Sequence, residues 1–116
     1  MSNKIGVIGA GASGILAAIS ARQQGGEVFI LERNQKIGKK ILATGNGRCN
    51  FTNVDANQNN YNHPGFVKSV FEQFGADQTI KYFESLGIIP KIEDEGKTYP
   101  YSEQATSIVD VLLYEL

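Results

Sequence analysis

At 116 residues, against roughly 150 for an average domain, the chain holds one domain or part of one. With 41% hydrophobic residues, 20% charged residues and a formal net charge of −1, it has the composition of a globular protein, neither disordered nor membrane-embedded. Eleven Lys and Arg against twelve Asp and Glu leave no positive field to draw in a phosphate backbone or an anionic membrane, so nucleic acid and membrane are not expected partners. A single cysteine, Cys49, and a single histidine, His63, exclude an internal disulfide and a multi-cysteine metal site, and no metal is expected.

The apolar run from Ile5 to Ile19 is interrupted by glycines and falls short of the ~20 residues that span a bilayer, which predicts a cytoplasmic protein without a signal peptide. Its first part, Lys4 to Ile8, is β-branched and apolar and predicts a strand of a parallel sheet, buried on both faces. From Ser13 to Gln24 the apolar spacing is helical, with Gly25 and Gly26 placed to end the helix. Glu27 to Glu32 then reads as a second strand closing on a carboxylate. Strand, helix and strand make a βαβ unit, whose right-handed crossover sets the strands parallel.

The stretch from Gln35 to Asn62 reads as mostly loop, rich in Gly, Lys and Asn, with Gly38 to Asn53 functional and Val54 to Asn62 solvated. A helix is predicted from Pro64 to Gly75 and a second one capped by Asp77 and ended by Gly87. Ile88 to Ile92 and Lys97 to Tyr101 resemble two short strands about the turn Glu93 to Gly96. Ser102 is placed to cap a last helix, on which Ala105, Ile108, Val109, Leu112, Leu113 and Leu116 share a face. That helix has no stop signal at Leu116, and two strands with one helix cannot cover both sheet faces, so later residues are expected to complete the sheet. The aromatic stripe Phe66, Phe71, Phe74 and Phe83 reads as core, or as a surface that such residues cover.

Gly9, Gly11 and Gly14 spell GxGxxG directly between the first strand and the helix, and Glu32 follows Gly14 by eighteen residues, near the spacing of about twenty in dinucleotide-binding units. Gly9 permits the tight turn, Gly11 removes a side chain that would hold the backbone off a pyrophosphate, and Gly14 lets the helix pack closely. Free N–H groups around Ala12 to Ile15, with the helix dipole, suit a diphosphate. The Glu32 carboxylate can accept both ribose hydroxyls of an adenosine and would repel a 2′-phosphate, which disfavours NADP at this position. This unit alone leaves FAD and NAD open.

The segment GKKILATGNGRCNFTN, Gly38 to Asn53, adds a second motif. With the opening GAGASG and the later GKTYPYSEQATSIVDVL, it resembles the N-terminal part of the bacterial two-domain NAD(P)/FAD-dependent oxidoreductases, which include aminoacetone-oxidase-like and bile-acid-reductase-like proteins. The resemblance is strongest over residues 5 to 53 and 96 to 112. It implies an α/β fold: a Rossmann-like βαβ FAD-binding unit (1–32), a cofactor-contacting loop (33–62), then helices and short strands (63–116), forming an incomplete parallel-sheet domain. It also implies FAD as cofactor, NAD(P)H as electron donor, a small-molecule substrate, and hydride transfer among them. The implied cofactor contacts are Gly9, Gly11, Ala12, Ser13, Gly14, Glu32, Arg33, Lys40, Thr44, Gly45, Asn46, Gly47, Arg48, Cys49 and Asn50.

Within that set, Gly45 and Gly47 would let backbone amides approach the cofactor, Lys40 and Arg48 would supply charge, and Arg48 is the first candidate to sit near the flavin N1 and O2. Asn46, Asn50 and Asn53 would satisfy loop backbone or donate to flavin oxygens. Cys49 lacks the second cysteine that dithiol chemistry requires and reads as a packed thiol, while His63 reads as solvated or capping, so neither is a catalytic candidate. Tyr99, Pro100 and Tyr101 read as packing residues. Two alternatives remain open from sequence: a truncated, non-catalytic dinucleotide-binding module, and part of an NAD-dependent dehydrogenase. The 116 residues by themselves are expected to have no turnover.

Overall fold

Strands β1 (Lys4–Ile8) and β2 (Glu27–Leu31) pair in parallel, Lys4 opposite Glu27 and Ile8 opposite Leu31, in a computed structural model that describes residues 3–116. Helix α1 (Ala12–Gln23) connects them and buries Ile15, Ala18 and Ile19. These bounds lie within one residue of those read from the sequence. Burial alternates along both strands, with the side chains of Ile5, Val7, Val28 and Ile30 on the more covered face. The opposite face is open among the described residues: Ile8 is 87% exposed, Leu31 62% and Phe29 48%. The expectation that β1 is buried on both faces is thus not met among the described residues: α1 leaves Ile5 and Val7 half-buried on one face and the other face is open.

The segment expected to be loop carries more structure. Gly38, in the left-handed region at φ 67°, starts the short helix α2 (Lys39–Ala43), which buries Ile41, and a 3₁₀ turn follows over Thr44–Gly47. Strand β3 (Thr52–Asn53) then joins an antiparallel sheet in the order β3, β5 (Lys97–Pro100), β4 (Pro90–Ile92). Strand β4 starts two residues later than predicted, because the Ile88 N–H closes the preceding helix on the Phe83 carbonyl at 2.9 Å. The region 54–62 is tied down by its asparagines: the Asn57 side chain accepts the Asn59 N–H at 2.9 Å while the Asn60 side chain accepts the Asn57 N–H at 2.8 Å.

Helices α3 (Pro64–Gln73), α4 (Ala76–Ser85) and α5 (Ala105–Glu115) complete the chain. Two caps differ from expectation. Gly75, not Asp77, is the N-cap of α4, and Gln78 reaches back to accept its N–H at 2.9 Å, which leaves Asp77 in the first turn near the positive helix end. Gln104 is the N-cap of α5, while Ser102 accepts the Gln104 N–H at 3.3 Å and pairs with the Ser107 hydroxyl.

The core joins Ile15 and Ile19 of α1 to Ile108, Val109 and Leu112 of α5, with Ile41, Phe83 and Ile88 around them. The aromatic stripe divides. Phe83 is buried and packs its ring 5.1 Å from Phe51, whereas Phe66 on α3, a helix with no buried residue, is 73% exposed and Phe74, just past its end, is half exposed. Tyr99 and Pro100 are buried packing residues, as read from the sequence, whereas Tyr101 is exposed. Among the described residues no helix is long and apolar enough to cross a membrane.

Candidate functional site

The turn between β1 and α1 is built by its glycines. Gly9 takes φ +96°, a conformation that favours glycine, and donates its N–H to the Leu31 carbonyl at 2.8 Å. A Cβ on Gly14 would lie 1.9 Å from the Gly9 carbonyl oxygen, so only glycine allows α1 this close to the turn. A Cβ on Gly11 would meet nothing within 4 Å, which leaves open space where the backbone faces out. Gly9 thus makes the turn and Gly14 the close helix packing, while Gly11 leaves its backbone open to approach.

The Gly11 carbonyl accepts the Ile15 N–H at 3.0 Å, but α1 has no side-chain cap and no acid in its first turn. The N–H groups of Ala12, Ser13 and Gly14 have no protein acceptor among the described residues. Orphan donors at the positive end of a helix are a ready anion site.

Ala10, buried between the glycines, ties three segments together. Its N–H donates to Glu32 Oε2 at 2.7 Å, and its carbonyl accepts the Gly38 N–H at 2.7 Å. The other Glu32 oxygen accepts the Asn34 backbone N–H at 3.0 Å and its Nδ2 at 3.2 Å. Hydrogen bonds from Asn34 and then Ala10 hold the Glu32 carboxyl below the usual carboxylate range. A carboxylate offers roughly four acceptor positions, so about one stays free for a ribose hydroxyl, and a second is freed only when the Asn34 amide swings aside.

The helix end opens into a cleft of about 960 Å³. Of the residues singled out by sequence, Gly11, Ala12, Ser13, Lys40, Thr44, Cys49 and Asn50 line it together. Phe51, Phe83, Ile108 and Leu112 add apolar wall. Cys49 is buried, and that burial pushes its thiol up, partly offset by a hydrogen bond with Thr44. The Asn50 side-chain oxygen accepts the Thr98 N–H at 3.1 Å, and Asn53 bridges Glu95 and Asp55, so these two asparagines satisfy loop backbone.

Other candidates lie outside the cleft. Arg33 is exposed, and no ion pair or side-chain hydrogen bond holds its guanidinium among the described residues. Gly45, Asn46 and Gly47 follow one another in the left-handed region. A Cβ on Gly45 would come 2.5 Å from the Asn50 nitrogen and 3.0 Å from the Tyr99 ring, so that glycine answers to protein packing rather than to cofactor approach. Gly47 has open space about it.

Arg48 requires a correction. Its Nη1 donates to Glu93 Oε1 at 2.8 Å and Glu103 Oε1 at 3.0 Å, and its guanidinium carbon sits 4.0 Å from the centre of the Tyr99 ring. The charge is therefore matched by two carboxylates outside the cleft, and among the described residues it is not the unpaired cation that the flavin reading expects. His63 is exposed at the start of α3, away from the cleft. Sequence reasoning missed Ala10, whose role is carried by its backbone and leaves no trace in residue type. It also missed Tyr82, which lines the cleft with its hydroxyl buried and without a partner among the described residues.

A parallel βαβ unit, a GxGxxG turn with its helix end open, and an acid anchored at the close of the second strand define a dinucleotide-binding Rossmann domain. The chain belongs to the HI0933-like protein Rossmann domain family, which it matches over residues 3–116. It is 51% identical over 118 aligned residues to the 3-dehydro-bile acid delta(4,6)-reductase of Clostridium scindens, covering 98% of this chain and 29% of that protein. It is also 35% identical to the ribosomal RNA dihydrouridine synthase of Escherichia coli and 34% identical to that of Haemophilus influenzae, with 94% of this chain covered in each case and 28% and 27% of those proteins. The chain thus spans less than a third of the length of these relatives. The resemblance read from the two motifs is to this same family.

Proposed function

We propose that this chain is the N-terminal part of the FAD-binding domain of a flavin-dependent reductase that takes electrons from NAD(P)H and acts on a small organic substrate. The observation that carries the reading is the Ala10 peptide, which joins the fingerprint turn to Glu32 on one side and to the start of the second motif on the other. A dinucleotide laid across that junction meets a carboxylate for its adenosine ribose, free amides of Ala12 to Gly14 for its diphosphate, and the cleft lined by Thr44, Cys49 and Asn50 for its far half. The cleft has room for it, and the open space at Gly11 leaves the backbone accessible.

In this reading residues 1–32 bind the adenosine and diphosphate, residues 33–62 contact the remainder of the cofactor, and residues 63–116 support both. Bound FAD would supply the hydride chemistry between nicotinamide and substrate. The protein's part is to orient the cofactor, and Phe51, Phe83, Ile108 and Leu112 give the cleft an apolar wall for it. The substrate class follows the relative of higher identity, a reductase named for a bile acid; a compound with a reducible carbon–carbon double bond fits it. A second reading, reduction of a base in RNA, rests on the two relatives named as RNA dihydrouridine synthases. The near-neutral charge of these 116 residues favours the small molecule. The apolar N-terminal run forms β1 and α1, and a cytoplasmic location accords with that use of it.

The test is purification of the full-length protein with FAD, removal of free cofactor, and a visible spectrum with a thermal melt. Retained flavin absorbance and a melting temperature raised by FAD support the reading. A protein that stays colourless and melts at the same temperature with and without FAD removes it. Anaerobic bleaching by NADH or NADPH, then recovery of colour on adding an unsaturated steroid or an unmodified RNA, separates the two substrate classes.

A further inference from the structure

Lys40 is the only charged side chain among the residues lining the cleft, and no carboxylate pairs with it among the described residues. It stands in the first turn of α2, two residues beyond Gly38, whose N–H is fixed to the Ala10 carbonyl at 2.7 Å. The second motif is thereby anchored beside the turn whose amides, Ala12 to Gly14, lack acceptors. Lys40 is exposed at the edge of a largely apolar cleft, and no carboxylate among the described residues supplies it a counter-charge. Its neighbour Lys39 does not line the cleft, and Arg48 is held by Glu93 and Glu103.

We infer that Lys40 is the cation that pairs with the diphosphate of the bound dinucleotide, sharing it with the α1 amides, and that it sets the preference of the site for ligands carrying a diphosphate. This rests on the dinucleotide-binding reading above and adds to it a specificity-determining residue. The helix end takes one phosphate through backbone N–H groups, and Lys40 takes charge on the other with a flexible ammonium. Two of the three cationic residues of the second motif thereby take separate duties: Lys40 binds ligand, and Arg48 clamps the protein.

The experiment is calorimetric titration of the full-length apoprotein with FAD, ADP and adenosine, for wild type and for Lys40→Met, Lys40→Arg and Lys39→Met. Loss of a charge-assisted contact in Lys40→Met is expected to weaken FAD and ADP alike by about tenfold or more and to leave adenosine unchanged. Lys40→Arg should recover most of the loss, and the salt dependence of ADP binding should flatten in Lys40→Met. The apoprotein melting temperature should not move, since Lys40 is exposed and unpaired among the described residues. ADP affinity within about twofold of wild type in Lys40→Met overturns the inference, even if FAD affinity falls, because the lysine would then act at the flavin end. Equal losses in Lys39→Met and Lys40→Met also overturn it, reducing the effect to general surface charge. A wild-type protein that binds neither FAD nor ADP refutes the dinucleotide-binding reading itself, a result distinct from intact wild-type binding that Lys40→Met leaves unchanged.

Discussion

Glu32 Oε2 accepts the backbone N–H of Ala10 at 2.7 Å, so the acid at the end of β2 holds the fingerprint turn before any ligand arrives. The hydrogen bonds from Asn34 and Ala10 that depress its pKa link protonation to folding. A depressed carboxyl contributes stability that is present above the unfolded value of ~4.3 and is lost as pH falls through the lower folded value. Thermal melts of the full-length protein taken downward from about pH 5 should therefore show wild type losing more of its melting temperature than Glu32→Gln. Parallel curves would mean that the Ala10 contact carries no linkage. If Glu32 holds the ribose as proposed, Glu32→Gln should also weaken ADP binding by about tenfold at neutral pH, since a charged acceptor is lost.

Gly11 and Gly14 are separated by two residues yet should respond in opposite ways to the same methyl group. In Gly14→Ala the new Cβ would sit 1.9 Å from the Gly9 carbonyl oxygen, a backbone atom, so α1 must move off the turn. A loss of ~2–3 kcal/mol in chemical denaturation is expected. In Gly11→Ala the Cβ enters open space at φ −82°, and stability should fall by less than ~1 kcal/mol. In the proposed reading the diphosphate approaches there, so the cost should appear in binding, with FAD affinity dropping by about tenfold or more. Comparable stability losses in the two variants would contradict this division.

The βαβ unit was legible because each of its signals is local. Glycine spacing, the helical recurrence of Ile15, Leu16 and Ile19, and the acid closing the second strand all lie within a short run of chain. Helix α2 escaped notice because it is one turn of KKILA whose single fully buried side chain, Ile41, is masked by two lysines. Strand β3 is two polar residues, Thr52 and Asn53, which pair only because β5 lies beside them. The use of Arg48 was hidden for a different reason. Its partners Glu93 and Glu103 are 45 and 55 residues away, and no periodicity connects them. Sequence singled out the cation and could not see the carboxylates that meet it.

Those carboxylates make Arg48 a clamp between the second motif, the β4–β5 turn and the approach to α5. Lys91 adds a fourth charge, its Nζ lying 3.1 Å from Glu103, and that contact followed by Arg48 holds the Glu103 carboxyl below its usual range. The groups are partly exposed, so salt screens them. Arg48→Met should lower the melting temperature of the full-length protein by about 2–6 °C at low salt and by less at high salt. Arg48→Lys should recover only part, because an ammonium cannot lie flat on the Tyr99 ring while bridging both carboxylates. A loss that ignores ionic strength would assign the stabilisation to the ring contact alone.

Cys49 faces the cleft from a buried position in the left-handed region, at φ 59°. Burial raises its pKa, so the thiol stays protonated at neutral pH and the nucleophilic thiolate is scarce. A maleimide or a disulfide reagent should modify the native protein far more slowly than the guanidinium-unfolded one, and bound FAD should slow it further by covering the cleft. The sign of the linkage is opposite to that of Glu32. An acid with a raised folded pKa contributes stability that is full below the unfolded value of ~8.5 and is lost as pH rises through the folded value, so wild type should lose more stability than Cys49→Ala above about pH 9. Fast native labelling at pH 7 would mean that the thiol is accessible and activated, and Cys49 would then become a candidate for chemistry rather than packing.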